Sequence, residues 1–156
     1  SASPTDDESQ AEVRGRDLVA LMVVLRAIIE REPENAMALN ALGYTLADRT
    51  DRHEEARRLI EQAYQINPDD PAILDSLGWV LFRLGRNAEA LDVLKKANAI
   101  PDYEDSTLLE HQADVHQALQ QSDEAKQMWQ KAVEVEEKDS SPDAAVLKRL
   151  REKLGK

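Results

Sequence analysis

Three stretches of this chain repeat one another at a spacing of thirty-five residues, beginning at Ala36, Pro71 and Ser106. A unit recurring at this length is one supersecondary element that cannot bury its apolar face alone and must stack on its neighbours. Matching positions show how the stacking works. Leu39, Leu74 and Leu109 hold the fourth position, Leu42, Leu77 and Gln112 the seventh, and Gly43, Gly78 and Ala113 the eighth. A small residue at the eighth position lets a second helix come close. In the second half of each unit Ala56, Ala90 and Ala125 are small again. Ile60, Leu94 and Trp129 follow four residues on as bulky partners, and Ala63, Ala97 and Ala132 close the pattern. Apolar residues three and four apart place one buried stripe on each of two helices, so each unit reads as a helical hairpin.

Punctuation agrees with that division. Pro68 falls where a helix must stop, and Asp70 before Pro71 supplies an N-cap followed by proline at the first helical position. Asn87 and Ser122 are placed to cap second helices, and Gly85 to end the helix before it. Ser141–Pro142–Asp143 opens a last helix with Val146, Leu147, Leu150 and Leu154 on one face, expected to cap the array and to turn a Lys/Arg face to water. Upstream, Leu18–Pro33 fits the second helix of a preceding unit, with Leu21, Leu25 and Ile28 on the inward stripe. The expected organisation is a disordered acidic lead over 1–17 and an array over 18–137, followed by a capping helix over 138–156. Within the array a half repeat covers 18–35 and full repeats cover 36–70, 71–105 and 106–137. The chain begins with Ser and reads as a piece or processed product of a longer protein.

This pattern resembles the tetratricopeptide repeat over roughly Leu18–Glu137. The resemblance implies an all-α, right-handed solenoid of helical hairpins with a C-terminal capping helix, working as a protein-binding module. A closer resemblance lies in ALNALGYTLADRT and PDDPAILDSLGWVLFRLG. These are similar to the C-terminal repeats of proteobacterial tetratricopeptide lipoproteins held at the outer membrane, which partner a periplasmic C-terminal-processing protease. That resemblance implies a periplasmic, outer-membrane-anchored adaptor in proteolysis or envelope assembly, with a lipid anchor and further repeats. It weakens in the third unit, where Gln112–Ala113 replace Leu-Gly.

Charge narrows the partner. The 31 acids and 20 Lys and Arg give a net charge of −11, which disfavours nucleic acid and an anionic membrane surface. Between Lys96 and Lys126 there is no Lys or Arg. No apolar run is long enough to span a membrane, so direct insertion is not expected. Absence of cysteine excludes disulfides and thiolate metal sites. His111 and His116, five apart, read as surface residues rather than metal ligands, and no catalytic or phosphate-binding motif occurs. The expectation is no enzyme activity, no cofactor and no metal.

In a solenoid the first helices line the concave face. The stripe that carries partners in tetratricopeptide proteins runs here through Asn40 and Tyr44, Asp75, Trp79 and Phe82, then Glu110 and Asp114, with Arg83 and Asp48 at its edge. Three of the six aromatics fall on this stripe, which suits large interface anchors, and the third unit offers carboxylates. The expected partner is an apolar and basic peptide or protein segment, and the closer resemblance implies a periplasmic protease. Alternatives are a structural segment of a longer array, a regulatory domain fused to an enzyme, and a cytoplasmic location. Val19, Met22, Val23 and Ile29 would remain uncovered on the first helix and are expected to mediate self-association, as a two-fold homodimer or by exchange of the terminal helix between chains.

Overall fold

The computed structural model describes the backbone of residues 6–155, and the side chains of residues 10, 12 and 14–155. The described residues are all-helical. They form α1 (Asp6–Arg31), α2 (Ala36–Arg49), α3 (His53–Ile66), α4 (Pro71–Arg83), α5 (Asn87–Asn98), α6 (Ser106–Ala118), α7 (Ser122–Glu137) and α8 (Ala144–Lys153). Three hairpins, α2/α3, α4/α5 and α6/α7, stack in chain order, and α1 and α8 flank them. First helices also touch one another, α2 against α4 and α4 against α6, so their exposed faces form one surface.

The small eighth residues are contact points between paired helices. A Cβ built on Gly43 would sit 2.5 Å from Ile60 Cγ1 and 3.0 Å from the Ala56 carbonyl; one on Gly78 would sit 2.5 Å from Leu94. In the third hairpin Ala113 and Trp129 share one buried cluster with Leu109, Ala132 and Leu150. Leu39, Leu42, Leu74, Ile60, Leu94 and Leu108 are fully buried in the core. Each such side chain contributes about 1.5–3 kcal/mol.

Helix ends follow the sequence in part. Asp70 caps α4 through the N–H groups of Ala72 and Ile73, and Asp143 caps α8 through those of Ala145 and Val146. Asn87 and Ser122 do not act as caps: each is the first residue inside its helix, and the residues before them, Arg86 and Gln121, make no side-chain cap. Acids in the first turn, Glu89 in α5 and Asp123 and Glu124 in α7, complement the positive helix end instead.

The N-terminal element also departs from expectation. Residues 6–17 continue α1 rather than forming a disordered lead; residues 1–5 lie outside the described residues. No proline interrupts the chain between Pro4 and Pro33, and a Glu12–Arg16 ion pair one turn apart supports the extension. Met22 and Ile29 pack against the core and are not available for the self-association expected of them. Val19 (61 %), Val23 (61 %), Val24 (55 %) and Leu21 (47 %) are the exposed ones. Leu21 stands where Ala56, Ala90 and Ala125 are sealed by their own first helix, and α1 has none. Arg26 ties α1 to α3 through Glu55 at 2.8 Å, and this bond is the main reason the Glu55 carboxyl lies below its ordinary range.

At the far end, Arg151 is the eighth residue of α8, the place of Gly43, Gly78 and Ala113. It pairs with Glu137 of α7 at 2.7 Å and leaves no close seat for a second helix. Leu150 is fully buried against α6 and α7, so α8 is a capping helix.

Two hairpins turn by the same device. In the second, the Arg86 N–H donates to the Leu81 carbonyl at 2.9 Å and the Gly85 N–H to Phe82 at 2.9 Å; in the third, Gln121 donates to His116 at 2.9 Å and Gln120 to Gln117 at 3.0 Å. Gly85 adopts φ +77°, and Gln120 adopts φ +61° in the equivalent place. A residue with a Cβ in this region costs about 1–2 kcal/mol, partly offset by the greater freedom of glycine in the unfolded chain. Gln120→Gly is expected to stabilise the protein by about 0.5–1 kcal/mol in urea unfolding. A loss of stability would contradict this account of the turn.

Candidate functional site

The concave face is built from positions one turn apart on successive first helices. Asn40, Tyr44 and Asp48 lie along α2, Asp75, Trp79 and Arg83 along α4, and Glu110 and Asp114 along α6. Tyr44, Asp48, Trp79, Glu110 and Asp114 line one cavity of about 310 Å³, together with Thr107, His111, Arg149 and Lys153. Tyr44 and Asp48 also line a neighbouring cavity of about 350 Å³ with Leu18, Leu21, Arg14 and Arg49. The two cavities share Tyr44 and Asp48 as a common wall, and their linings run from α1 to α8 along the first-helix face, here called the groove.

Tyr44, Trp79 and Phe82 are each partly exposed. Trp79 is the hub. Its ring stacks on the His111 imidazole with centroids 4.3 Å apart and planes at 22°, and Phe82 lies 5.5 Å away, tilted by 49°. The Arg83 guanidinium sits 5.9 Å from the Trp79 centroid. Phe82 packs on the core beside Trp79 and does not line the central cavity. Asn40 does not line it either, and its Oδ1 is buried without a hydrogen bond.

His111 and His116 are buried, at 6 % and 5 % exposure, so the reading of both as surface residues is corrected. His111 Nδ1 donates to Asp75 Oδ1 at 2.7 Å. Burial opposes protonation of this imidazole, but the Asp75 hydrogen bond and the charges of Asp75, Glu110 and Asp114 outweigh it and raise the pKa. His116 lies in a separate network beneath the groove. It donates from Nδ1 to Gln121 at 2.7 Å and meets Gln112 at 3.3 Å through Nε2, while Asn98 donates to Gln112 at 2.8 Å. This network explains the polar Gln112 where the other units carry Leu. Among the described residues no group of His and carboxylates is arranged to hold a metal ion.

The carboxylates of the third unit are engaged from within. Arg149 of α8 grips Glu110 with two bonds of 2.7 and 2.8 Å, and Lys153 bonds Glu110 at 2.7 Å and Asp114 at 2.9 Å. Trp129 Nε1 donates to Asp114 at 3.0 Å. Burial pushes the Glu110 carboxyl up, but the hydrogen bonds from Arg149 and Lys153 prevail and lower it. Arg149 and Lys153 therefore reach into the groove, while Lys148, Arg151 and about half of Arg149 keep the water-facing basic side expected of the capping helix. Glu110 and Asp114 already hold cations of the same chain. The Tyr44 hydroxyl is pushed up to about 12 by burial and then by Asp48, Asp75 and Glu110, so it stays neutral.

Spacing could have pointed to His111, which follows Asp75 by one repeat plus one residue. Arg149 holds the same sixth position of its helix as His111, but only the observed start of α8 reveals it.

Residues 34–100 match the family model described as "Tetratricopeptide repeat". A stretch of 89 residues, 56 % of this chain, is 58 % identical to the TPR repeat-containing protein PA4667 of Pseudomonas aeruginosa. The chain spans only 15 % of the length of that relative. Among solved structures, TTC0263, a thermophilic TPR protein in Thermus thermophilus, superposes with a TM-score of 0.74 at 20 % identity, over 94 % of this chain and 78 % of that one. PcrH, solved in complex with the chaperone binding region of PopB, gives 0.66 at 20 % identity, over 76 % of this chain and 94 % of that one. The fold is thus a solenoid of tetratricopeptide hairpins with a capping helix.

The His111–Asp75 pair makes stability depend on pH. A raised folded pKa means the native state holds a proton that the unfolded state releases above about 6.5. The stabilisation is fully present below that value and is lost as pH rises through the folded pKa. Urea midpoints measured from pH 5.5 to 8.5 are expected to show the difference between wild type and His111→Gln shrinking with rising pH. A difference that grows with pH would contradict the assignment.

Proposed function

We propose that this tetratricopeptide solenoid is a non-catalytic scaffold that holds a segment of a partner protein along its concave groove. The observation that carries the reading is the pair Tyr44 and Trp79, half-exposed aromatics lining one cavity between stacked first helices. Half-buried rings on rigid helices gain large contact area at low entropic cost, which is what interface anchors do. Phe82 and Arg83 support Trp79 from behind and from the side. Asn40 and Asp75 back the same face, and Glu110 and Asp114 close its far end. PcrH, with the same fold, is an instance of a protein that binds a region of another chain.

The finer reading is an adaptor in periplasmic proteolysis or envelope assembly, held at the outer membrane in a longer protein and partnering a periplasmic protease. It is supported by the resemblance of the first two repeats to envelope lipoproteins and by the tetratricopeptide relative in a proteobacterium. No helix among the described residues is long and apolar enough to cross a membrane. Tyr44→Ala with Trp79→Ala is expected to lower capture of the partner protease at least tenfold, while Lys95→Ala on a second helix leaves it unchanged. Unchanged capture by the folded double variant would favour a purely structural segment.

A second contact is proposed at α1, where Val19 and Val23, one turn apart, are exposed on one side of the helix. Arg151 blocks the close seat at the opposite end, so pairing of two α1 helices about a two-fold axis is favoured over a head-to-tail chain. Light scattering at high micromolar concentration is expected to give twice the monomer mass, and Val19→Glu with Val23→Glu the monomer. A monomeric mass for the wild type would end this proposal.

A further inference from the structure

Three carboxylates line the central cavity, Asp48, Glu110 and Asp114, and a fourth, Asp75, lies behind His111; all but Asp48 are engaged. Asp75 holds His111, Glu110 holds Arg149 and Lys153, and Asp114 holds Lys153 and Trp129. Asp48 has no side-chain hydrogen bond and no ion pair among the described residues. It is half-buried and stands on the wall shared by both cavities. Arg14 and Arg49 line the second cavity without pairing with it.

The surroundings of Asp48 suit a cation that arrives from outside. Tyr44 lines the same space, and a ring face attracts a cation while a carboxylate supplies the charge; Trp79, its ring already stacked on His111 and approached by Arg83, lends apolar area. The internal cations are already committed to Glu110 and Asp114, so the far end of the groove neither competes for the incoming charge nor adds to its attraction. Beyond Asp48 the wall of the second cavity carries two apolar side chains, Leu18 and Leu21, with Arg14, Asp17 and Arg49 around them.

We propose that Asp48 is the recognition carboxylate of the groove. An extended segment of a partner protein places a Lys or Arg side chain among Asp48, Tyr44 and Trp79, and an adjacent apolar residue against Leu18 and Leu21. This rests on the groove being the binding surface, and it narrows the partner to a basic residue beside an apolar one. It also moves the acidic determinant from Glu110 and Asp114, where the sequence pattern suggested it, to α2.

The test uses four sets of fluorescein-labelled, C-terminally amidated heptapeptides with Lys, Arg, norleucine or Glu at the centre and Leu, Ala, Ser and Gln randomised elsewhere. Fluorescence anisotropy is expected to show the Lys and Arg sets binding about tenfold tighter than the norleucine set. Asp48→Asn is expected to bring Lys and norleucine within twofold, and Asp48→Lys to favour the Glu set. Asp92→Asn, an exposed carboxylate on the second helix α5, is expected to keep the Lys preference. Circular dichroism and urea midpoints verify that each variant folds. Equal binding of all four sets, or a Lys preference surviving in Asp48→Asn, overturns this proposal and leaves the groove reading standing. No binding of any set by the folded wild type, with partner capture insensitive to Tyr44 and Trp79, overturns both.

Discussion

At Gly43 a single added carbon would lie 2.5 Å from Ile60, and at Gly78 the same distance from Leu94. Everything else in the structure depends on this close approach. It draws the two helices of each hairpin together until their stripes interlock, and it fixes which face of the first helix remains outside. Because the contact recurs every thirty-five residues, the fifth and ninth positions of successive first helices fall into columns. Asn40, Asp75 and Glu110 form one column, and Tyr44, Trp79 and Asp114 the next. The groove follows from the register of a packing contact that it never touches.

Polar groups in such a groove need partners, and the fold supplies them across the stack. The sixth residue of one first helix reaches back to the fifth of the preceding one, as His111 does to Asp75 and Arg149 to Glu110. Between α2 and α4 that place is held by Ser76, whose hydroxyl turns back to the Ala72 carbonyl, and Asn40 Oδ1 is left without a donor. Burying the Glu110 carboxylate costs several kcal/mol, which three charge-assisted bonds from α8 offset. The capping helix therefore completes the chemistry of the groove as well as covering the last hairpin.

The all-helical stack of hairpins was legible in the sequence, because periodicity reports directly which face of a helix is buried; Tyr44 and Trp79 lie on one surface as their spacing suggests, while Phe82 packs behind them. Three features were not. Residues 6–17 are polar enough to read as disordered, yet they carry no helix breaker but Gly15 and extend α1. His111 lacks the apolar character that marks a buried position, and its burial depends on Asp75 thirty-six residues away. Arg149 and Lys153 looked like the solvent face of an amphipathic cap; their targets lie thirty-nine or more residues upstream, beyond the reach of any local pattern. Asn87 and Ser122 show the same limit on a smaller scale, since cap identity depends on where a helix begins to within one residue.

The central claim is that the first-helix face, organised by the hairpin contact, is where a partner lies. Amide hydrogen exchange of the protein with and without its bound partner tests this most directly, because it reports on every helix at once. The account predicts added protection in α2 and α4 around Tyr44 and Trp79, with the second helices α3 and α5 unchanged. Protection confined to α3, α5 or α7 would place the partner on the convex side and contradict it.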